Sequence, residues 1–360
     1  MKLYFPWRTD NTSMRPNVLL MCKMFFLLLL INGFLSYISD PFIPFISVMD
    51  LLNEYPNVFK YSIRFLFLVA GILLLFNYKV RLMASIIGIS IIVTILSSKP
   101  IFRNHLFICG CAFILAGLSD KNKDPWLLYI QLSIIYLGAV TNKIFQIDWW
   151  SGQFMHNWLF IARENATYSF LSDLFPQGYL SKMISWSSIF AEIIIGILLL
   201  FKKKHVLAVW LIIIFHTILF SITAFRFGHF FEDILIFLLV FLKWPKDQIE
   251  VSYQYGKLRI LRNFCSIINW NKQVVWTPVK LNKNEWLSVN ISGRVTTNEV
   301  GLRSVLLYSP GLYVFLLFVD SVIRILFLHP IEHIIFIILF WGGILFFIPI
   351  KWPFDFLKAN

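Results

Sequence analysis

The chain has 360 residues, 58% of them hydrophobic and 14% charged, against roughly 45–50% and about 25% in soluble domains, which excludes an ordinary soluble enzyme. The formal net charge of +13 is read as membrane topology rather than a nucleic-acid footprint, because surplus Lys and Arg collect in cytoplasmic loops. Cys22, Cys109, Cys111 and Cys265 are scattered; they form neither a disulfide framework nor paired zinc ligands, and no metal is expected.

In chain order, apolar runs of span length or slightly less occur near 17–37, 60–77, 81–98, 105–118, 127–147, 183–201, 205–224 and 229–243. The expectation is an all-α polytopic membrane protein with about eight helices. No small-x-small site ends the first run, Val18–Phe34, so it reads as a retained helix. Composition changes from Pro245 to about Ser304, where charges, Asn and the alternating stretches Gln248–Tyr255 and Trp286–Ile291 suggest a small α/β insert with strands. Two further apolar runs, near 311–328 and 331–350, close the chain as one or two C-terminal membrane helices. The expected domains are thus 17–243, 245–304 (or to about 328) and 311–350.

Loop charge predicts orientation. With a cytoplasmic N terminus, the cytoplasmic loops carry Lys79 and Arg81, then Lys121 and Lys123, then Lys202, Lys203 and Lys204, then Lys243 and Lys246. Only Lys99 and Arg103 oppose the pattern. The insert is therefore expected on the cytoplasmic side. By this topology Asn104 and His105, Lys143, His216, and His229 with Glu232 and Asp233 approach one leaflet, which suggests an outward-facing intramembrane site.

Each of these residues also has an ordinary reading. Lys143 lies about four residues from the outer end of its run, at roughly 1.5 Å per residue, so it either snorkels, with Asp148 or loop carbonyls as partner, or faces a polar cavity. Tyr129, Tyr136 and Lys143 recur every seven residues and share a helix face. His216, in LIIIFHTILF, is either a hydrogen-bonded packing residue or part of a site. Asn104 before His105 is also an ordinary helix cap. Glu192 shares a face with Ser185 and Ser188, a polar seam between helices. His229 with Glu232 and Asp233 also reads as a solvated helix start.

The succession Asn104-His105-Leu106-Phe107, YLGAVTNKIFQIDWWSG, the Glu192 helix and FHTILFSITAFRFGHF resembles the membrane domain of vitamin K-dependent γ-carboxylase and its bacterial HTTM relatives, over roughly 17–243. The resemblance implies Lys143 as the base, with His216 and His105 as further catalytic groups. It also implies substrate contacts from Asn104, Asn142, Tyr136, Glu192, His229 and Trp149, and a reduced, vitamin K-like quinone as cofactor. Asn142 stands where the carboxylase has a second lysine, and one extra residue separates Lys143 from Asp148-Trp149. The carboxylase's large lumenal region has no counterpart, so carboxylation of a propeptide-bearing protein is not implied.

Some relatives resemble SdpB-type proteins that help mature, export or confer immunity to a secreted peptide toxin. Two functions from different classes follow: a quinol- or lipid-using membrane enzyme with Lys143 as base, and a non-catalytic accessory protein for a small secreted peptide. Membrane lipid is a partner in both, nucleic acid in neither, and a bacterial cytoplasmic membrane is the expected location. The insert, VSYQYGKLRIL and VNISGRVTTNEVGLRSVLLYSPGLYVF, is similar to DCC-family thioredoxin-like oxidoreductases. Leu258 and Leu261 stand at the expected cysteine positions, so dithiol redox chemistry is expected to be lost.

Overall fold

A computed structural model describes residues 6–223, 228–245, 247–254, 258–282 and 284–326. The chain divides into two compact units. Among the described residues, the first runs to Pro125 and resumes at Leu242, and the second is Trp126–Phe241. The 17–243 stretch read as one domain therefore runs through both.

In the first unit, α1 (Pro16–Ile31), α2 (Phe34–Tyr37), α3 (Pro56–Leu75), α4 (Val80–Leu96) and α5 (Asn104–Leu118) precede the second unit. Proline opens both α1 and α3, where its missing N–H leaves no hydrogen bond unmade. The pair α4 and α5 approaches closely because glycine lines the contact. A Cβ on Gly88 would stand 2.5 Å from the Gly110 carbonyl, and one on Gly117 2.6 Å from the Arg81 carbonyl. This is the small-residue packing that apolar helices use in a membrane. Arg81 donates to the terminal carbonyls Gly117 O at 2.9 Å and Leu118 O at 3.2 Å, capping α5.

The second unit holds α6 (Trp126–Ile144), α7 (Ile147–Ser151), α8 (Gln153–His156), a π-helical turn Asn157–Ile161, α9 (Ala166–Ser172), α10 (Tyr179–Leu199), α11 (His205–Ile222) and α12 (Gly228–Phe237). Helices occur at all eight expected places. Span length is met by α3, α6, α10 and α11, the last counted from Lys202; α1, α4 and α5 are apolar but shorter. At fifteen residues, α5 is about 22 Å long, short of a hydrocarbon core of about 30 Å. The final helix is also shorter than the run near 229–243, since Leu238–Phe241 tightens into a 3₁₀ turn after α12.

The insert has the order β1 (Ile249–Tyr253), α13 (Arg259–Ile268), β2 (Val274–Pro278), β3 (Leu287–Ile291), β4 (Arg294–Thr297) and α14 (Asn298–Leu307). The sheet order is β2-β1-β3-β4. Strand β1 is parallel to β2 through the α13 crossover and antiparallel to β3. Ser292 and Gly293, both at positive φ, close the β3–β4 hairpin, as a two-residue turn of the primed type requires. Ile249, Val251, Tyr253, Leu287 and Val289 are buried, giving the alternation seen in the sequence. After α14 the chain bends by 78° into α15 (Pro310–Leu326). The second C-terminal run, 331–350, lies outside the described residues.

Within the first unit, several segments meet on one face. Lys23, fully buried in α1, donates to Pro6 O and Arg8 O at 2.6 Å, Asn77 Oδ1 at 2.7 Å and Leu75 O at 3.0 Å. Arg15 pairs with Asp124 at 2.8 Å. Thr9 and Asn271 exchange two hydrogen bonds of 2.9 Å, and Trp7 stacks on Trp270 with ring centres 5.7 Å apart. The N-terminal segment, the loops at Asn77 and Asp124, and the insert therefore share a side, as the loop-charge pattern predicts for the segments at Lys79, Lys121 and the insert.

Candidate functional site

The site is built on α6 and α10, which lie against each other along a groove of small residues. A Cβ on Gly196 would come 2.7 Å from the Leu137 side chain, and Ser133 Oγ donates to Gly196 O at 2.7 Å. This proximity brings Lys143, in the last turn of α6, opposite Glu192. Lys143 Nζ is 2.5 Å from Glu192 Oε2 and 3.1 Å from Ser188 Oγ. The lysine side chain is 14% exposed and the carboxylate 9%, so Lys143 does not snorkel and Asp148, which is exposed, is not its partner. An ion pair this deep survives only because each charge is the other's compensation.

Past Ile144 the chain turns back. Trp150 Nε1 donates to Ile144 O at 2.8 Å, and Trp186 Nε1 donates to Trp150 O at 3.1 Å. Gly152, at φ +80°, lets the turn lie against the start of α10, where a Cβ would stand 2.5 Å from Lys182 N; a side chain there is excluded by both conformation and space. The turn puts the Trp149 ring 4.6 Å from Lys143 Nζ, within cation–π range, and stacks it on Phe154.

These groups line a half-open cavity of about 290 Å³. One wall is polar: Lys143, Ser188 and Glu192. The other is apolar and mostly aromatic: Trp149, Phe154, Met155, Trp158, Phe215 and Leu219. Next to Phe215, His216 Nε2 is 2.7 Å from Tyr136 OH and lies among the rings of Phe230 and Phe231. Because Tyr136 and Lys143 are seven residues apart on α6, the Tyr136–His216 pair and the Lys143–Glu192 pair follow one helix face.

A second polar group backs the cavity. Tyr168 is buried with Met155 and Leu159, against which Trp149 and Trp158 pack, and its hydroxyl is 3.1 Å from His156 Nδ1. Burial raises the Tyr168 phenol above its usual range, partly offset by a hydrogen bond with Ser181. Asn165 caps α9 by accepting from Tyr168 N at 2.9 Å and donates to Ile222 O, tying the turn to the end of α11.

Of the residues singled out in the sequence, the structure brings together Lys143, Glu192 and Trp149 at the cavity and Tyr136 with His216 beside it. Asn142 is exposed on α6. His229 is 58% exposed and 3.6 Å from Glu232, which is itself buried. Asn104 and His105 open α5 in the first unit. Sequence reasoning missed Phe154, Met155, Trp158 and Phe215 as lining residues and the His156–Tyr168 pair. The available signal was the aromatic density from Trp149 to Tyr168.

Residues 122–244 match the family model of the HTTM domain, about a third of the chain, and this stretch contains all the described residues of the second unit. That stretch is thus similar to the HTTM domain, and the apolar helices, four of them of span length, are consistent with an integral membrane protein. No curated protein and no solved structure matches it.

Proposed function

We propose that the HTTM domain is a membrane-embedded enzyme that removes a proton from a small, flat, hydroxyl-bearing amphiphile of the reduced-quinone or lipid-like class, with Lys143 as base. The supporting observation is the Lys143–Glu192 pair, 2.5 Å apart, forming the polar wall of an aromatic cavity of about 290 Å³. Ligand sites commonly range over roughly 300–1,000 Å³, so this one suits a one- or two-ring head group rather than a larger ligand. The residues fit such a group: Trp149, Phe154, Trp158 and Phe215 offer ring faces, and Lys143, Ser188 and Glu192 offer hydrogen-bond partners at one edge. A bound reduced quinone supplies an acidic hydroxyl and reducing electrons.

The chain's own groups handle the proton. Transfer of one ammonium proton from Lys143 Nζ to Glu192 Oε2 across their contact frees a lone pair on Nζ, which accepts a hydroxyl proton. The Trp149 ring face then stabilises the positive charge formed on Nζ, and Ser188 Oγ fixes its direction. His216, held by Tyr136, positions the α11 turn that presents Phe215 and Leu219.

The test is Lys143→Ala in membranes given reduced quinone, dissolved oxygen as the electron acceptor and labelled bicarbonate, with quinol oxidation and carbon fixation followed separately. The expected result is loss of quinol oxidation per amount of protein present in the membrane, and the same loss in the Lys143→Met/Glu192→Leu double variant, in which no charge is stranded. Turnover that survives Lys143→Ala overturns the assignment of the base. A wild type without either activity that co-purifies with a small secreted peptide favours the accessory role instead.

A further inference from the structure

The insert carries a surface that the intramembrane site leaves unused. Helix α13, RILRNFCSII, buries Cys265 and Ile268 beneath it and half-buries Leu261. Beside that buried face runs a second apolar stripe at i, i+4 and i+7: Ile260 is 88% exposed, Ile267 69% and Phe264 38%. Three apolar side chains in register on one helix face are not scattered surface residues. The flank of the stripe is basic and polar, with Arg259, Arg262, Asn263 and Ser266 exposed and no acidic residue anywhere on the helix.

The stripe has a neighbour. Phe264 meets Phe315 of α15 edge to face at 6.3 Å, and Gly311 lies so close to Ile268 that a Cβ there would stand 2.6 Å from its carbonyl oxygen. Phe315 and Phe318, 47% and 65% exposed, carry the exposed apolar surface onto α15, the apolar half of the bent helix pair. The Phe264–Phe315 contact joins the exposed stripe of α13 to the exposed apolar side chains of α15, so the two helices present these side chains to one medium.

We infer that α13 is an interfacial helix that lies in the plane of the leaflet on the insert's side, with Ile260, Phe264 and Ile267 among the acyl chains and Arg259 and Arg262 against anionic headgroups. A ten-residue helix is about 15 Å long, and one apolar face with a basic flank is the pattern of in-plane binding. Arginines beside such a leaflet are drawn to its negative surface potential. Arg262 is already oriented, donating to Tyr253 OH at 3.1 Å. The leaflet thereby fixes the insert to the membrane through α13 as well as through α15.

The test uses the full-length chain in nanodiscs of equal parts phosphatidylglycerol and phosphatidylcholine. A nitroxide is placed singly at Ile260→Cys, Ile267→Cys or Ser266→Cys in a Cys111→Ser background, the other native cysteines being buried. Expected is a label at 260 and 267 that oxygen reaches and a nickel chelate does not, with the reverse at 266. Chelate access at all three positions overturns the proposal, since the stripe then faces water. Exclusion of both reagents at 260 and 267 also overturns it, since protein then covers the stripe. In pure phosphatidylcholine, chelate access at 260 should rise; unchanged access overturns the anionic headgroups as the partner of the arginines. None of these readouts depends on Lys143 or on turnover.

Discussion

At the scale of single residues, Lys23, which is buried, and Lys143, which is mostly so, show what membrane burial demands. Lys23 satisfies its ammonium with four oxygens that are all backbone or amide, a latch with nothing left to react. Lys143 has one carboxylate, one hydroxyl and a ring face, and its remaining side borders a cavity. Removing one member of a buried ion pair strands the other, at about 3–5 kcal/mol, whereas removing both can be close to neutral. Lys143→Met and Glu192→Leu should therefore each lower stability strongly in unfolding of the purified protein, and the double variant should lose much less than their sum. Additive losses would mean that the two groups do not compensate each other. Sequence alone could not choose between snorkelling and a cavity for Lys143, because the answer lay in the register of α10. The i−4 and i−7 spacing of Ser188 and Ser185 from Glu192 marked the polar seam, but not which helix it faced. The role of Lys23 is not legible in the sequence, since three of its four acceptors are main-chain carbonyls that no side-chain pattern reveals.

At the scale of elements, the α6–α10 contact decides whether the pair of charges can meet. Gly196 is needed for space, because a Cβ on it would stand 2.7 Å from the Leu137 side chain, while a Cβ on Gly138 would meet nothing within 4 Å. Gly196→Ala should cost about 1–3 kcal/mol through overpacking, and Gly138→Ala should gain about 0.5–1 kcal/mol from helix propensity. Equal effects at the two glycines, read from unfolding midpoints of the purified variants, would remove close helix approach as the reason for Gly196. Elements with a strong period were legible: the eight apolar helices, and β1 and β3, whose alternating residues bury one face. Strands β2 and β4 were not, because they form the edges of the sheet and bury little in alternation. Cys265 is a free, buried thiol. It sits mid-helix, with burial pushing its thiol up to about 11, so it is a packing group rather than a thiolate.

At the scale of the whole molecule, loop charges and contacts bear on different halves of the topology. Contacts within the first unit put the Asp124 loop, the N-terminal segment and the insert on one side, through Arg15–Asp124, Thr9–Asn271 and Trp7–Trp270. Helix α3 ends at Leu75, whose carbonyl accepts from Lys23 on that side, so its twenty residues, about 30 Å, carry Pro56 to the opposite side. Contacts are silent on which side is cytoplasmic. The excess of Lys and Arg in the loops around Lys79, Lys121 and Lys202 predicts that these loops are cytoplasmic, on the energetics of moving positive charge across the membrane. A membrane-impermeant maleimide applied to intact cells should therefore label Asn53→Cys, and should reach Lys121→Cys and Lys280→Cys only after permeabilisation. All three positions are exposed, so failure to react reports sidedness rather than burial. Labelling of Lys121→Cys and Lys280→Cys from opposite sides would break the docking of the insert on the N-terminal face. If both label from outside while Asn53→Cys does not, the docking stands and the charge rule has been read the wrong way round for this chain. In that case α13 would meet the outer leaflet, and Arg259 and Arg262 would have to find their anionic headgroups there.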